Sequence, residues 1–268
     1  MARPFPVTTG TATVTAVDDV TPRMRRITLA DQGLRRLPVE QPGEVITLLW
    51  PEEGRALVLP EEGWRFPAGV AERQHARNYT VRGWEPGSDE VVIDFVVHTL
   101  AASGGGGTGG DHGRASRWAN AAEPGHELGY AGSRLHWIPG APEGWALLVG
   151  DETGLPALAA IAEGLPAGTR AIALVEVEDD GERQPIASAA DLDLRWLCRD
   201  GAPAGRTTLL ADAVRELELP DGPGRAWGGG EALAMRDVRR HLKDDRGLPA
   251  EDTQILGYWK HRATKSWE

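Results

Sequence analysis

One cysteine, Cys198, stands in 268 residues. No disulfide can close within the chain, and no cysteine cluster can hold zinc or iron–sulfur. Any redox chemistry therefore needs another electron carrier, and the lone thiol reads as a small buried apolar residue. Long apolar runs are also missing: no stretch of 18 apolar residues occurs, so no membrane span is expected. The opening MARPFPVTTGTATV lacks the apolar core of a signal peptide, which makes a cytoplasmic location the expectation. Positive charge is in deficit. Lys plus Arg number 29 against 40 Asp plus Glu, a formal net charge of −11, which argues against a nucleic-acid partner. The deficit is uneven, because YWKHRATKSWE carries Lys260, His261, Arg262 and Lys265. That corner is either an attractor for an anionic ligand or a frayed, solvated tail.

What is present reads as two domains. TATVTAVDDV, TPRMRRITLA, EVITLLW, RNYTVRGW, EVVIDFVVH and HELGYAG are short β-branched runs separated by Pro/Gly turns, the pattern of an antiparallel barrel or sandwich. The helix predicted in this half is ASRWANAA, 115–122. Before it, ASGGGGTGGDHG at 102–113 is a low-complexity loop. Its glycines lack the strand-to-helix frame and the lysine of a phosphate loop. After a linker at 139–144 the pattern changes: strands WALLVG, TRAIALVEVED, DLRWLCR, RAWGGG and TQILGYW alternate with helical segments, implying a parallel sheet. The expected boundaries are 1–140 for a six-stranded antiparallel barrel and 141–268 for an α/β domain of the NAD(P)H-binding kind, with ligands gathering at the carboxyl ends of its strands.

The chemistry begins at RNYTVR, 77–82. In a strand, Arg77 and Tyr79 share one face while Asn78 and Thr80 share the other. A guanidinium beside a phenol suits a phosphate next to a flat ring, and Thr80 can hydrogen-bond a ring heteroatom. By itself the segment equally describes a surface strand. DFVVH places Asp94 and His98 at a strand end, GRASRWA places Ser116 and free amide groups at a helix start, and VGDETGLPAL places Thr153 at a strand-to-helix turn. WGGGEA and GYWK follow.

RNYTVR, DFVVH, GRASRWA, GDETGLPAL, WGGGEA and GYWK, in that order, resemble the siderophore-interacting proteins, FAD-containing ferric-siderophore reductases of the ferredoxin–NADP reductase superfamily. The resemblance runs from about residue 8 to residue 260. It implies an FAD site to which Arg77, Tyr79, Thr80, Asp94, His98, Gly113, Ala115 and Ser116 contribute from the first domain and Thr153 from the second. It implies NADH or NADPH as co-substrate, with Gly229, Gly230 and Glu231 where a nicotinamide approaches. It implies Arg134 and Lys260 as contacts to an anionic ferric siderophore. A lysine common in the strand matching EVITLLW is replaced by Thr47, and Arg114 stands where proline is common. The acids of VEVEDDGE favour ribose hydroxyls over a 2′-phosphate and lean the coenzyme toward NADH.

The reaction implied is outer-sphere reduction of Fe(III) inside its chelate, with no metal ligand from the protein and no side chain singled out as catalytic. A general NAD(P)H–flavin reductase and a non-catalytic siderophore-binding protein remain the alternatives. A monomer is expected. The siderophore and the role of the glycine-rich loop 104–110 are left open by the sequence.

Overall fold

The chain is described in a computed structural model over residues 8–51, 54–61, 65–70, 74–97, 112–134 and 144–261. His98, the glycine run at 104–110 and the tail beyond 261 lie outside the described residues. The chain divides into two compact units, Met1–His136 and Trp137–Glu268.

The first unit is a six-stranded antiparallel sheet of β1 (Thr8–Thr21), β2 (Met24–Ala30), β3 (Val45–Trp50), β4 (His75–Thr80), β5 (Glu90–Val96) and β6 (Glu127–Arg134), in the order β4-β3-β6-β1-β2-β5. Its outer strands come together just beyond β4, where Gly83 pairs with Val92 of β5 and the sheet closes into a barrel. Register shifts in β1 between Val14 and Ala16 and between Asp19 and Thr21 supply bends that closure requires. Alternate residues Ile27, Leu29, Ile46, Leu48, Ile93, Phe95, Leu128 and Tyr130 fill the core. Helix α1 (His112–Ala121) is tied down at its carboxyl end by Arg25, whose Nη1 donates to the Ala119 and Asn120 carbonyls at 2.9 and 2.5 Å. A cation at that end also complements the helix dipole.

One buried phenol organises the barrel's far side. Tyr130 donates to Asp31 Oδ2 at 2.6 Å, and the same oxygen accepts from Gly33 N–H at 2.9 Å. This fixes a single 3₁₀ turn, Gln32–Arg36, that the sequence pattern does not reveal. Gly10 and Gly33 are required beside it: a Cβ on Gly10 would stand 2.6 Å from the Tyr130 hydroxyl, and one on Gly33 would strike the same atom.

The second unit is a parallel five-stranded sheet of β7 (Trp145–Gly150), β8 (Arg170–Val177), β9 (Asp191–Cys198), β10 (Gly224–Glu231) and β11 (Thr253–Trp259), ordered β11-β10-β7-β8-β9. Helices α2 (Leu155–Glu163), α3 (Leu209–Glu216) and α4 (Ala232–Arg240) connect it. β7 is central and buried throughout, so WALLVG carries no polar alternation. β9 is an edge and shows it, with Asp191, Asp193 and Arg195 exposed at every second position. The strand order reverses between β7 and β10, which places the switch point of the sheet at their carboxyl ends. Among the described residues no helix is long and apolar enough to cross a membrane.

Tyr130→Phe keeps the ring and removes only the bond to Asp31. It is expected to lower the stability of the first unit by about 1.5 kcal/mol, read as a shift of the urea midpoint with an unchanged slope.

Candidate functional site

Both units present candidate residues, and their surroundings are built differently. On the barrel, β4 pairs with β3 so that His75, Arg77 and Tyr79 stand opposite Trp50, Leu48 and Ile46, the strand's core-facing residues. The segment is therefore no plain surface strand. Tyr79 packs its ring 4.4 Å from Phe95 and 6.2 Å from Trp50, and Trp50 meets Trp118 of α1 at 5.8 Å. Burial pushes the Tyr79 phenol well above its ordinary value, with Arg77 pulling the other way. Arg77 donates to the Ala76 carbonyl at 2.8 Å, which bends its guanidinium along the strand. Ala115 and Ser116 are buried in α1, and Gly113 lies in its first turn.

A flat aromatic ligand carrying phosphates fits this donor set. Arg77 brings cationic donors, and Trp50 Nε1 is a buried donor with no acceptor among the described residues. An unmet buried N–H costs free energy that a ligand's acceptor atom would recover. Thr80 is buried, in register with Val45.

Asp94 is placed differently from a ligand contact. Its carboxylate is buried and receives Arg26 through two bonds, Nε to Oδ1 at 2.7 Å and Nη2 to Oδ2 at 2.8 Å, with Arg82 Nε 3.6 Å from Oδ2. Its acceptors face two guanidiniums, so any part it has in holding a cofactor runs through Arg26 and Arg82. Neither arginine stands out in the sequence, because both read as the polar positions of alternating strands.

The barrel's other face carries a polar triplet. Thr47 Oγ1 donates to Asn78 Oδ1 at 2.8 Å, and Arg134 Nη2 donates to that same amide oxygen and to Thr47 at 3.3 Å. Burial draws the Arg134 guanidinium below its ordinary value. Asn78, unremarked in the sequence beyond its alternation, is what holds Arg134.

In the second unit the carboxyl ends of the strands are crowded with carboxylates. Asp151, just past β7, accepts at Oδ1 from Thr153 N–H (2.8 Å), Thr153 Oγ1 (2.6 Å) and Gly154 N–H (3.4 Å). At Oδ2 it accepts from Glu231 N–H and Trp259 Nε1, each at 2.8 Å. Burial raises this carboxyl above its ordinary range, the Thr153 hydroxyl and amide and the Trp259 indole oppose the rise, and Glu152 adds to it. Thr153 thus spends its hydroxyl proton on Asp151. The glycines at the end of β10 answer to packing within the unit. A Cβ on Gly229 would meet the Tyr258 ring at 2.9 Å, one on Gly230 would meet the Asp151 carboxyl at 2.9 Å, and one on Gly154 would strike the Gly229 carbonyl. Glu231 has the task of a helix cap: its Oε2 accepts from Leu233 and Ala234 N–H at 2.6 and 3.0 Å. Lys260 is exposed directly after β11.

The acids of VEVEDDGE are committed as well. Arg199, buried after β9, forms a two-point pair with Glu152 and reaches Glu178 at 3.1 Å and Glu176 at 3.5 Å. Thr207 donates to Glu176 at 2.8 Å. Burial pulls the guanidinium pKa down, but the three glutamates outweigh it and hold it above the ordinary value. Glu176 is raised by burial against Thr207 and Arg199. The expectation that these acids meet ribose hydroxyls is therefore corrected for Glu176 and Glu178, whose oxygens face Arg199.

Comparison with known proteins adds the following. Residues 13–137 match the model of the siderophore-interacting FAD-binding domain, and residues 143–262 match that of the siderophore-interacting protein. The chain is 28% identical over 250 residues to the ferric vibriobactin reductase ViuB of Vibrio cholerae, covering 90% of this chain and 85% of that protein. It superposes on a siderophore utilization protein from T. fusca with a TM-score of 0.85 and 32% identity, covering 99% and 98% of the two chains. The siderophore-interacting protein SipS from Aeromonas hydrophila gives a TM-score of 0.75 and 28% identity over 95% and 99%.

Arg199→Met would leave three glutamates without their cation and is expected to cost about 3 kcal/mol near neutral pH. Glu176 holds its proton more tightly folded than unfolded. Its contribution to stability is whole below the ordinary value of 4.5 and is lost as pH rises through its raised folded value. Without Arg199 that loss steepens, so the deficit of the variant should shrink as pH falls toward about 5. Denaturant melts of both proteins across this window measure it.

Proposed function

The chain belongs to the siderophore-interacting protein family, and on that premise we propose that it is a flavin-dependent reductase of ferric siderophores, with NADH or NADPH as electron donor. The observation that carries the reading is the donor set on the inner side of β4, set within the segment that matches an FAD-binding domain. There Arg77 offers a guanidinium suited to a phosphate, Tyr79 and Trp50 form an aromatic wall, and Trp50 Nε1 is a donor with no acceptor among the described residues. Bound FAD would supply a carrier that takes a hydride and returns electrons one at a time.

The protein's own residues do the rest. Asp94 locks Arg26 beneath the barrel wall, which keeps β2 and β5 in register beside the ring-packing residues. Phe95 and Trp118 back Tyr79 and Trp50 and complete the aromatic wall. Arg134 and Lys260 are the proposed contacts to the anionic chelate, Thr153 a proposed contact to the flavin, and Gly229, Gly230 and Glu231 the proposed surroundings of the nicotinamide. The substrate iron needs no protein ligand. Hard oxygen donors hold Fe(III) better than Fe(II), so one electron delivered to the chelate loosens its metal. Two ferric chelates balance one hydride.

The carboxylates at the ends of β7 and β8 share a single buried guanidinium, Arg199. The resulting negative surplus disfavours a 2′-phosphate, so NADH is the expected donor.

Two outcomes test this. In anaerobic stopped-flow, the yellow holoprotein should bleach at lower concentrations of NADH than of NADPH and recover its colour on mixing with a ferric catecholate or hydroxamate. Bleaching without reoxidation by any ferric chelate would instead support a general flavin reductase. No bleaching by either coenzyme would support a binding protein or a different donor. Separately, Arg77→Ala should weaken FAD binding by about tenfold or more, read by flavin fluorescence titration of the apoprotein.

A further inference from the structure

The end of β11 is held to the sheet by two carboxylates from other strands. Asp151 Oδ2 accepts the Trp259 indole N–H at 2.8 Å, and Glu231 Oε1 accepts the His261 backbone N–H at 3.2 Å. The contacts flank Lys260 on either side. The Trp259 ring is also closed in from the loop before α3: a Cβ on Gly205 would stand 2.9 Å from it and 2.9 Å from the Glu231 side chain. Gly205 has φ of 70°, a conformation glycine adopts without strain, so the loop lies close at this point. Next to it, Arg206 Nε donates to His261 Nε2 at 3.3 Å.

Both carboxylates are themselves immobilised. Asp151 is held from Thr153, Gly154 and Glu231, and Glu231 caps α4 with its other oxygen. Among the described residues no carboxylate pairs with Lys260, whose side chain is exposed. Within the basic segment, Trp259–His261 is thus a fixed strand end that presents Lys260 as an exposed cation.

We propose that Asp151 and Glu231 are positioning residues that lock Trp259–His261 against the sheet, so that Lys260 is held in advance as a contact for an anionic ferric chelate. The inference rests on the reading of Lys260 given under Proposed function and adds the device that makes this residue effective. A lysine on a loose tail loses backbone and side-chain freedom when it binds, whereas one on a locked strand end loses only its own rotamers. Neither carboxylate touches the chelate.

The test compares Trp259→Phe, Lys260→Ala and the double variant in holoprotein with bound FAD. Ferric-chelate affinity is measured by fluorescence quenching at two salt concentrations, and exchange of the His261 amide by hydrogen–deuterium exchange. Trp259→Phe removes the indole N–H that Asp151 accepts, along with part of the ring packed beside Gly205. It should weaken chelate binding about fivefold, speed exchange at His261, and leave the FAD content at the wild-type level. Lys260→Ala should weaken binding and flatten its salt dependence. The double variant should bind no more weakly than Lys260→Ala, because both changes act through one cation. A weakened Lys260→Ala beside a wild-type Trp259→Phe overturns the lock and spares the substrate site. A Lys260→Ala variant that binds like wild type overturns the lysine's role and the proposal with it. If Trp259→Phe folds poorly, Glu231→Gln, which retains one acceptor oxygen for two tasks, takes its place with the same expected and overturning results.

Discussion

Asp151 sits where the strand order of the parallel sheet reverses, and it bonds to three different segments there. Its two oxygens hold the turn into α2 through Thr153 and Gly154, the start of α4 through Glu231, and the end of β11 through Trp259. A carboxylate this deeply buried is tolerated only because its charge is met by donors on both oxygens. The donors are in turn placed only because the carboxylate is there. The close approach of Gly154 to Gly229 and of Gly230 to Asp151 follows from the same constraint, since a Cβ on Gly154 would strike the Gly229 carbonyl and one on Gly230 the Asp151 carboxyl.

The barrel solves a comparable problem with opposite charge. Asp94 is buried on β5 and is met by arginines from β2 and from the turn after β4. The pairing ties β2 to β5 behind the wall where Tyr79 and Phe95 pack. In both units a buried acid stands behind the candidate residues and sets their positions.

Arg199 shows how far local chemistry can be redirected by packing. Three glutamates at the ends of β7 and β8 would be ribose acceptors if they were free. A single guanidinium arriving from the end of β9 takes up Glu152, Glu176 and Glu178 together. What remains is a residual negative field, which would repel a 2′-phosphate through Coulomb repulsion.

Fold class and element order were legible in the sequence because they depend on periodicities of two and 3.6 and on Pro/Gly punctuation, which act over a few residues. RNYTVR showed its alternation for the same reason: Tyr79 and Asn78 do lie on opposite faces. The short turn at Gln32–Arg36 was not legible, because it is set by Tyr130 from a strand almost a hundred residues away. Nor were the partners of Asp94, Asp151 and Glu176. A carboxylate or an ammonium looks the same in a sequence whether it meets a ligand, a helix end, a buried arginine or water. Which of these it meets is decided when distant strand ends converge. Tertiary structure alone turned GDETG, WGGGE and GYWK from three separate motifs into one hydrogen-bonded edge.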